Sequence, residues 1–265
     1  MGGNWKNCER FAANTEGEFL FKGRNMSVSS ASDKPLSFHY HFKFDNGDEK
    51  EFDIKLDGKT LDLICEPKEF YPIWTELSCN KCPNCPLSES QHSYCPVAKN
   101  VVYIIDFFKD IFSFEKVDLT ISTARRDYFK RVPVQAAVSS LIGIYMTTSG
   151  CPILDKLRPM VSTHLPFAST KETIYRALSM YLLAQYMIYK KGETPDWDMN
   201  HLGEIYEAIN KVNESFCKRL KQIDNIEDAA LNAVVKLDCY AISVGFALSE
   251  DTLGDFEPLF KAYLK

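Results

Sequence analysis

LSFHYHFKFDNGDEKEFDIKL, residues 36–56, is the stretch whose reading decides the fold class. Phe38, Tyr40, Phe42 and Phe44 alternate with Ser37, His39, His41 and Lys43. That is the two-residue period of a strand with one face buried. Asp45-Asn46-Gly47-Asp48 is a hairpin turn, and Glu51 to Leu56 returns as the second strand. A second hairpin is predicted further on, with Val117 to Ser122 pairing with Asp127 to Val132 through Ala124-Arg125-Arg126. A third short strand is predicted through Ile73 to Leu77.

Outside these strands the apolar period changes to that of helices. Val97, Val101, Ile104, Ile105, Phe108 and Phe112 predict a helix beginning at Pro96. From Pro133 a helix runs to about Thr148 and stops at Gly150. Ser169-Thr-Lys-Glu172 is a capping box opening a long helix to about Lys191, ended by Gly192 and Pro195. Within it, Ala177 to Tyr189 reads as a buried helix, its Tyr175, Leu178, Tyr181, Leu182, Tyr186, Met187 and Tyr189 stripe explained by packing. Two more helices are expected near 198–222 and 226–248, with a short one from about 252 to 263. Asp196-Trp197-Asp198 is expected to cap a helix entry with Trp197 anchored in the bundle.

The resulting class is α+β: two small antiparallel β-hairpins attached to a mainly helical C-terminal bundle. Residues 1–35 read as a flexible leader in which Met26 offers a second translation start. Residues 36–265 read as one domain: a β part at 36–78, the cysteine loop, helix and second hairpin at 79–132, and the bundle at 133–265.

A net charge of -5 disfavours a general nucleic-acid binder. No secretory signal or bilayer-spanning run is expected, and nine cysteines without an export signal point to the reducing cytoplasm.

Four of those cysteines precede proline, far more than chance placement of 12 prolines gives: Cys82-Pro83, Cys85-Pro86, Cys95-Pro96 and Cys151-Pro152. Cysteines at two-residue gaps let a loop wrap one centre, and proline after several ligands is typical of iron–sulfur ligation. Pro96 makes Cys95 the expected N-cap of its helix, and Pro152 does the same for Cys151. A helix N-terminus is expected to lower the thiol pKa toward the thiolate that binds metal. The expected ligand set is Cys82, Cys85, Cys95 and Cys151, with Cys79 as the alternative fourth thiol. The preferred cofactor is a [4Fe-4S] cluster, with zinc as the alternative. Zinc knuckles of the Cys-Pro-x-Cys type place glycine after the second cysteine, whereas Pro86 lacks an N–H donor. His92 and His164 are substitute ligands for zinc. Cys8, Cys65, Cys217 and Cys239 lack cluster spacing.

Cys-Pro-Asn-Cys-Pro-Leu (82–87), Cys-Pro-Val-Ala (95–98), Ser-Gly-Cys-Pro (149–152), His-Leu-Pro-Phe-Ala (164–168), Tyr-Leu-Leu-Ala-Gln-Tyr (181–186) and Pro-Asp-Trp-Asp (195–198) carry a resemblance. Across residues 36–264 the chain resembles an uncharacterised bacterial family, a domain of unknown function. The resemblance brings no activity with it. It implies that the shared cysteine set starts at Cys82 and includes Cys151, with Cys79 outside.

Three other patterns compete. Cys151 with His164 and Asp155 invites a nucleophile reading, without a second element of a hydrolase signature. Arg125, Arg126, Lys130 and Arg131 with Tyr128 and Phe129 form a basic hairpin, with Arg126, Tyr128 and Lys130 on one strand face. Arg158, His164 and Lys171 could add to an anion site beside Thr170. The leading functional reading is a metal or iron–sulfur protein of structural or redox- or metal-sensing role, acting through a protein partner, with the balance leaning away from an enzyme. The alternatives are an electron-transfer enzyme component, for which no glycine-rich nucleotide fingerprint is visible, and a nucleic-acid-binding module through the hairpin 125–131.

Overall fold

The computed structural model describes residues 34–264 apart from 67, 225, 250 and 251. All but the last two residues of the expected leader, together with Met26 and Cys8, therefore lie outside the described residues.

Strand β1 (Leu36–Phe44) pairs antiparallel with β2 (Glu49–Leu56) through the predicted turn. Gly47 takes φ +91° there, a conformation glycine adopts without steric cost. Strands β3 (Lys116–Thr123) and β4 (Asp127–Pro133) form the second hairpin. The two hairpins are not separate. β1 also pairs with β3, so the strand order is β2-β1-β3-β4 in one four-stranded antiparallel sheet. The two-residue period then decides the faces. Phe38, Tyr40 and Phe42 of β1, Phe52 and Ile54 of β2, and Leu119 and Ile121 of β3 are all buried on one side.

Helices cover that side. Helix α1 (Pro96–Phe108) buries Val97, Val101, Ile104, Ile105 and Phe108, and the Phe108 ring lies 5.2 Å from that of Phe42. Helix α2 (Val134–Thr148) leaves β4 directly at Pro133, whose φ of -60° and ψ of 143° switch the chain from strand to helix. After the short α3 (Pro159–Ser162) comes α4 (Thr170–Lys190), opened by the predicted capping box. There the Ser169 hydroxyl accepts from the Glu172 amide and the Glu172 carboxylate accepts from the Ser169 amide. Helices α5 (Asn200–Leu220) and α6 (Asp228–Ser249) complete the bundle, followed by a 3-10 segment, Thr252–Phe260.

Three local expectations fail. Ile73–Thr75 is a 3-10 turn rather than a strand; only Glu76 bridges, to Tyr94. Proline at position 72 and Thr75 Oγ1 bonded to the Pro72 carbonyl (2.6 Å) favour this turn over an extended run. The long helix is not buried throughout. Ala177, Leu178, Tyr181 and Gln185 face the bundle, while Leu183, Tyr186, Met187 and Tyr189 are exposed. Trp197 is half exposed beside Tyr189 rather than anchored, although the expected cap at the entry to α5 does form through Asp196, which accepts from the Asn200 and His201 amides and from the Tyr181 hydroxyl.

Among the described residues, α6 is the helix long and apolar enough to cross a membrane by length and composition. It packs in the bundle, with Ala230, Ala233, Val234 and Val244 buried and Ile242 and Phe246 exposed.

Candidate metal centre

Three separate segments deliver the four Cys-Pro thiols to one place. Cys82 and Cys85 share a tight turn, in which the Cys85 amide donates to the Cys82 carbonyl (3.0 Å). Asn84, between them, donates to the Ala208 carbonyl of α5 (3.0 Å) and so pins the turn to that helix. Cys95 is the N-cap of α1 with Pro96 at the first helical position, and its amide donates to Thr75 O (2.8 Å). Cys151 follows Gly150, whose φ of +88° turns the chain out of α2. The Asp155 amide then closes a turn onto the Cys151 carbonyl (2.9 Å), leading into the 3-10 segment Leu154–Leu157.

Cys82, Cys85, Cys95 and Cys151 line a single cavity of about 20 Å³, walled by Leu77, Leu87, Ile153, Val212 and Phe216. A space of that size admits about one water-sized body. Cys79 does not line it. Its sulfur accepts from the Asn80 side-chain amide at 3.8 Å, and the residue packs against the hydrophobic core. His92 is exposed and does not line the cavity either.

Cys151, expected as an N-cap with a lowered pKa, instead stands two residues ahead of the Ile153 N-cap and has its pKa raised, and Cys82 is raised as well. Burial pushes Cys82 up to about 11, and the neighbouring thiols of Cys95, Cys151 and Cys85 push the same way, against the Ser215 hydroxyl. Burial also raises Cys151, although the amides of Leu154 and Ile153 donate to its sulfur. Loss of hydration outweighs the partial charges of a short helical turn. Ionising these thiols thus requires a compensating positive charge inside the cavity.

Two cations line the cavity: Lys81, which pairs with Glu89 (3.5 Å), and Arg219. Arg219 is 2% exposed, lines the same cavity, and donates from Nη1 to the carbonyls of Trp74 (2.6 Å) and Glu76 (2.5 Å). Among the described residues no carboxylate pairs with it, and its side chain shares the cavity wall with the four cysteines. The sequence carried a signal for it: Arg219 stands at a core position of α5, in helical step with Val212 and Phe216. A charge within an apolar stripe is the feature that would have marked it.

In this geometry no set of three or more His, Cys, Asp or Glu side chains among the described residues is arranged to hold a metal ion. The four sulfurs surround a space rather than converge on the 2.0–2.3 Å ligand distances of zinc, a figure of about that size for nitrogen and sulfur donors.

The other candidate groups are dispersed. His164 Nε2 meets the Tyr40 hydroxyl (3.0 Å) and the Ser140 hydroxyl (3.3 Å), away from Cys151, and burial pushes its pKa down to about 3. Asp155 pairs with Arg158, so the nucleophile set does not assemble. The anion set does not assemble either: Arg158 is also held by Asp62, and Lys171 donates to the Asp255 carbonyl (3.3 Å). On β4, Tyr128 and Lys130 lie opposite Ile121 and Leu119, on the face turned toward the helices. Arg131 lies on the other face and is tied to Asp45 (2.7 Å) and Asp118 (3.2 Å). The basic hairpin thus presents no single cationic platform.

The model of a family described as a domain of unknown function, DUF6901, matches residues 38–261. No curated protein and no solved structure matches the chain.

Proposed function

We propose that this chain, which belongs to the DUF6901 family of domains of unknown function, holds a metal centre on the thiolates of Cys82, Cys85, Cys95 and Cys151. The observation that carries the reading is the convergence of four Cys-Pro thiols from three segments on one buried cavity, beside the carboxylate-free Arg219. Four thiolates around a dicationic centre retain net negative charge, and a buried guanidinium offsets it. Without thiolates, the same guanidinium is a buried charge satisfied only by carbonyls.

A [4Fe-4S] cluster is favoured over zinc. Proline follows each of the four cysteines, as is typical of cluster ligation, and the cavity of about 20 Å³ would have to widen to admit a cluster. Pro86 also removes the amide donor that a zinc knuckle uses at that position.

A centre with four protein ligands has no open position for substrate. The role is therefore structural or sensory: the centre ties the 82–95 loop, the start of α1 and the turn after α2 to α5. Its loss or oxidation would free those segments, and a protein partner in the cytoplasm would read the change.

Anaerobic purification followed by visible absorption and iron, sulfide and zinc quantification tests the proposal. The expected result is a coloured, iron- and sulfide-containing protein that loses its metal in Cys151→Ser and keeps it in Cys79→Ser. Colourless protein with neither iron nor zinc overturns the reading, and metal loss only in Cys79→Ser overturns the ligand set.

A further inference from the structure

A second cavity, of about 280 Å³, lies between the sheet and helices α2, α4, α5 and α6. It is at the lower edge of the volumes usual for small-molecule sites, roughly 300 Å³ and above. Its walls are aliphatic: Ile144, Met146, Leu154, Leu157, Ile209 and Leu237 are among them. Its charged lining is one-sided. Lys130, Arg176 and Lys236 border it, and no aspartate or glutamate does.

Two polar side chains there can still take an acceptor. Tyr206 is 4% exposed, lines the cavity, and its hydroxyl makes no hydrogen bond among the described residues. That hydroxyl is not sealed from solvent and opens on the cavity, where an acceptor on a ligand can take its hydrogen bond in place of water. Arg176 donates from Nη2 to the carbonyls of Met160 (2.8 Å) and Thr163 (3.1 Å) and forms no salt bridge among the described residues. The carboxylate on its own helix, Glu172, is committed to the Ser169 capping box. His164, also in the lining, is kept neutral by burial and is occupied by Tyr40 and Ser140. The cavity therefore has an apolar body, a hydroxyl open to it, and cations that make no contact ion pair among the described residues, Glu172 acting on Arg176 and Lys130 from further away.

We infer that this cavity binds an aliphatic monocarboxylate, its chain against the Leu and Ile walls and its carboxylate bonded to Tyr206 and neutralised by Arg176 and Lys236. A hydrocarbon chain matches the aliphatic lining, and a carboxylate accepts from a phenol and pairs with a guanidinium. The cavity is separate from the thiol cavity and needs no metal, so the inference stands or falls independently of the proposed centre.

Octanoate and 1-octanol serve as matched probes, titrated calorimetrically into the full-length protein. Octanoate is expected to bind at least about tenfold more tightly than octanol, the scale of one hydrogen bond to a charged group. Tyr206→Phe removes only the unpartnered hydroxyl, leaves the fold intact, and is expected to weaken octanoate about tenfold without changing octanol. Lys236→Gln should weaken octanoate by a smaller factor. Arg176→Gln should weaken it most, with the circular dichroism of that variant checked because Arg176 also braces two carbonyls. Equal binding of octanoate and octanol, no binding of octanoate, or unchanged octanoate affinity in Tyr206→Phe overturns the assignment.

Discussion

Cys151 and Leu154 belong to one short turn yet line different cavities, Cys151 the thiol cavity and Leu154 the large aliphatic one. The turn is set by Gly150, whose φ of +88° directs the chain out of α2 toward both. No atom lies within 4 Å of where a Cβ would stand on Gly150, so replacement there is opposed by backbone conformation and not by crowding.

Gly150→Ala is accordingly expected to destabilise the fold by about 1–2 kcal/mol, the cost of a left-handed conformation for an L-residue. It should also reduce bound metal, because Cys151 is the next residue. Urea unfolding and metal quantification on the same preparation check both effects. A variant as stable as the parent would show that the turn tolerates a different backbone path.

Arg219→Met tests whether the buried guanidinium serves the thiols. Two carbonyls lose a donor, but a buried charge is removed as well, so chelator-treated protein should change little in stability. Metal-loaded protein should lose about 3 kcal/mol, the cost of breaking a buried charge pair. The measurement is paired denaturation with and without metal. Equal losses in both forms would assign Arg219 to bracing Trp74 and Glu76 alone.

Alkylation reads the burial of the cysteines. With Cys82 pushed up to about 11, about one molecule in a thousand carries its thiolate at pH 8. Cys65 and Cys239 are exposed. Iodoacetamide treatment of metal-free protein, followed by peptide mass spectrometry, should label Cys65 and Cys239 first and Cys82 and Cys151 last. Early labelling of Cys82 would mean that the thiol cavity opens without metal.

His164 predicts acid sensitivity. Its pKa falls from an ordinary value near 6.5 to about 3 in the fold, chiefly by burial, with the charge of Arg176 adding to it. Between those values the unfolded chain binds the additional proton. Stability is therefore full above pH 6.5 and declines as pH falls toward 3, by up to about tenfold in the folding constant per pH unit. Carboxylates held low, such as Glu172 and Asp62, add to the loss only below about pH 4.5, while Asp238, raised by burial, opposes it there. Urea midpoints between pH 7 and 5 should therefore fall in the parent and stay level in His164→Gln, whose amide oxygen can still accept from Tyr40. Parallel slopes would exclude His164 as the cause.

Much of the fold was legible because local rules agree with the tertiary outcome. The alternation of Phe38 to Phe44, the glycine of the 45–48 turn, the Ser169–Glu172 box and Pro96 after Cys95 each act within a few residues. The reading failed where contact decided. The Ala177–Tyr189 stretch is apolar all round, and no period marks which side of it the bundle covers. Ile73 to Leu77 has strand composition, but Pro72 and a single bridge to Tyr94 leave it a turn. The Cys151 pKa inverted for the same reason. A proline after Cys151 is visible in sequence, whereas the place of that thiol ahead of the Ile153 N-cap and its burial beside Val212 and Phe216, roughly 60 positions on, are not.

By itself, the sequence determined the four sheet strands, most of the helices and several of their ends, and that four Cys-Pro pairs form a set, because propensity, turn chemistry and side-chain period are properties of neighbouring residues. Only the tertiary structure decided that the two hairpins join through β1 and β3, that Cys151 rather than Cys79 stands with Cys82, Cys85 and Cys95, and that Arg219 and Tyr206 face cavities without their usual partners. Those are matters of burial between distant segments, and burial sets the cost of a charge.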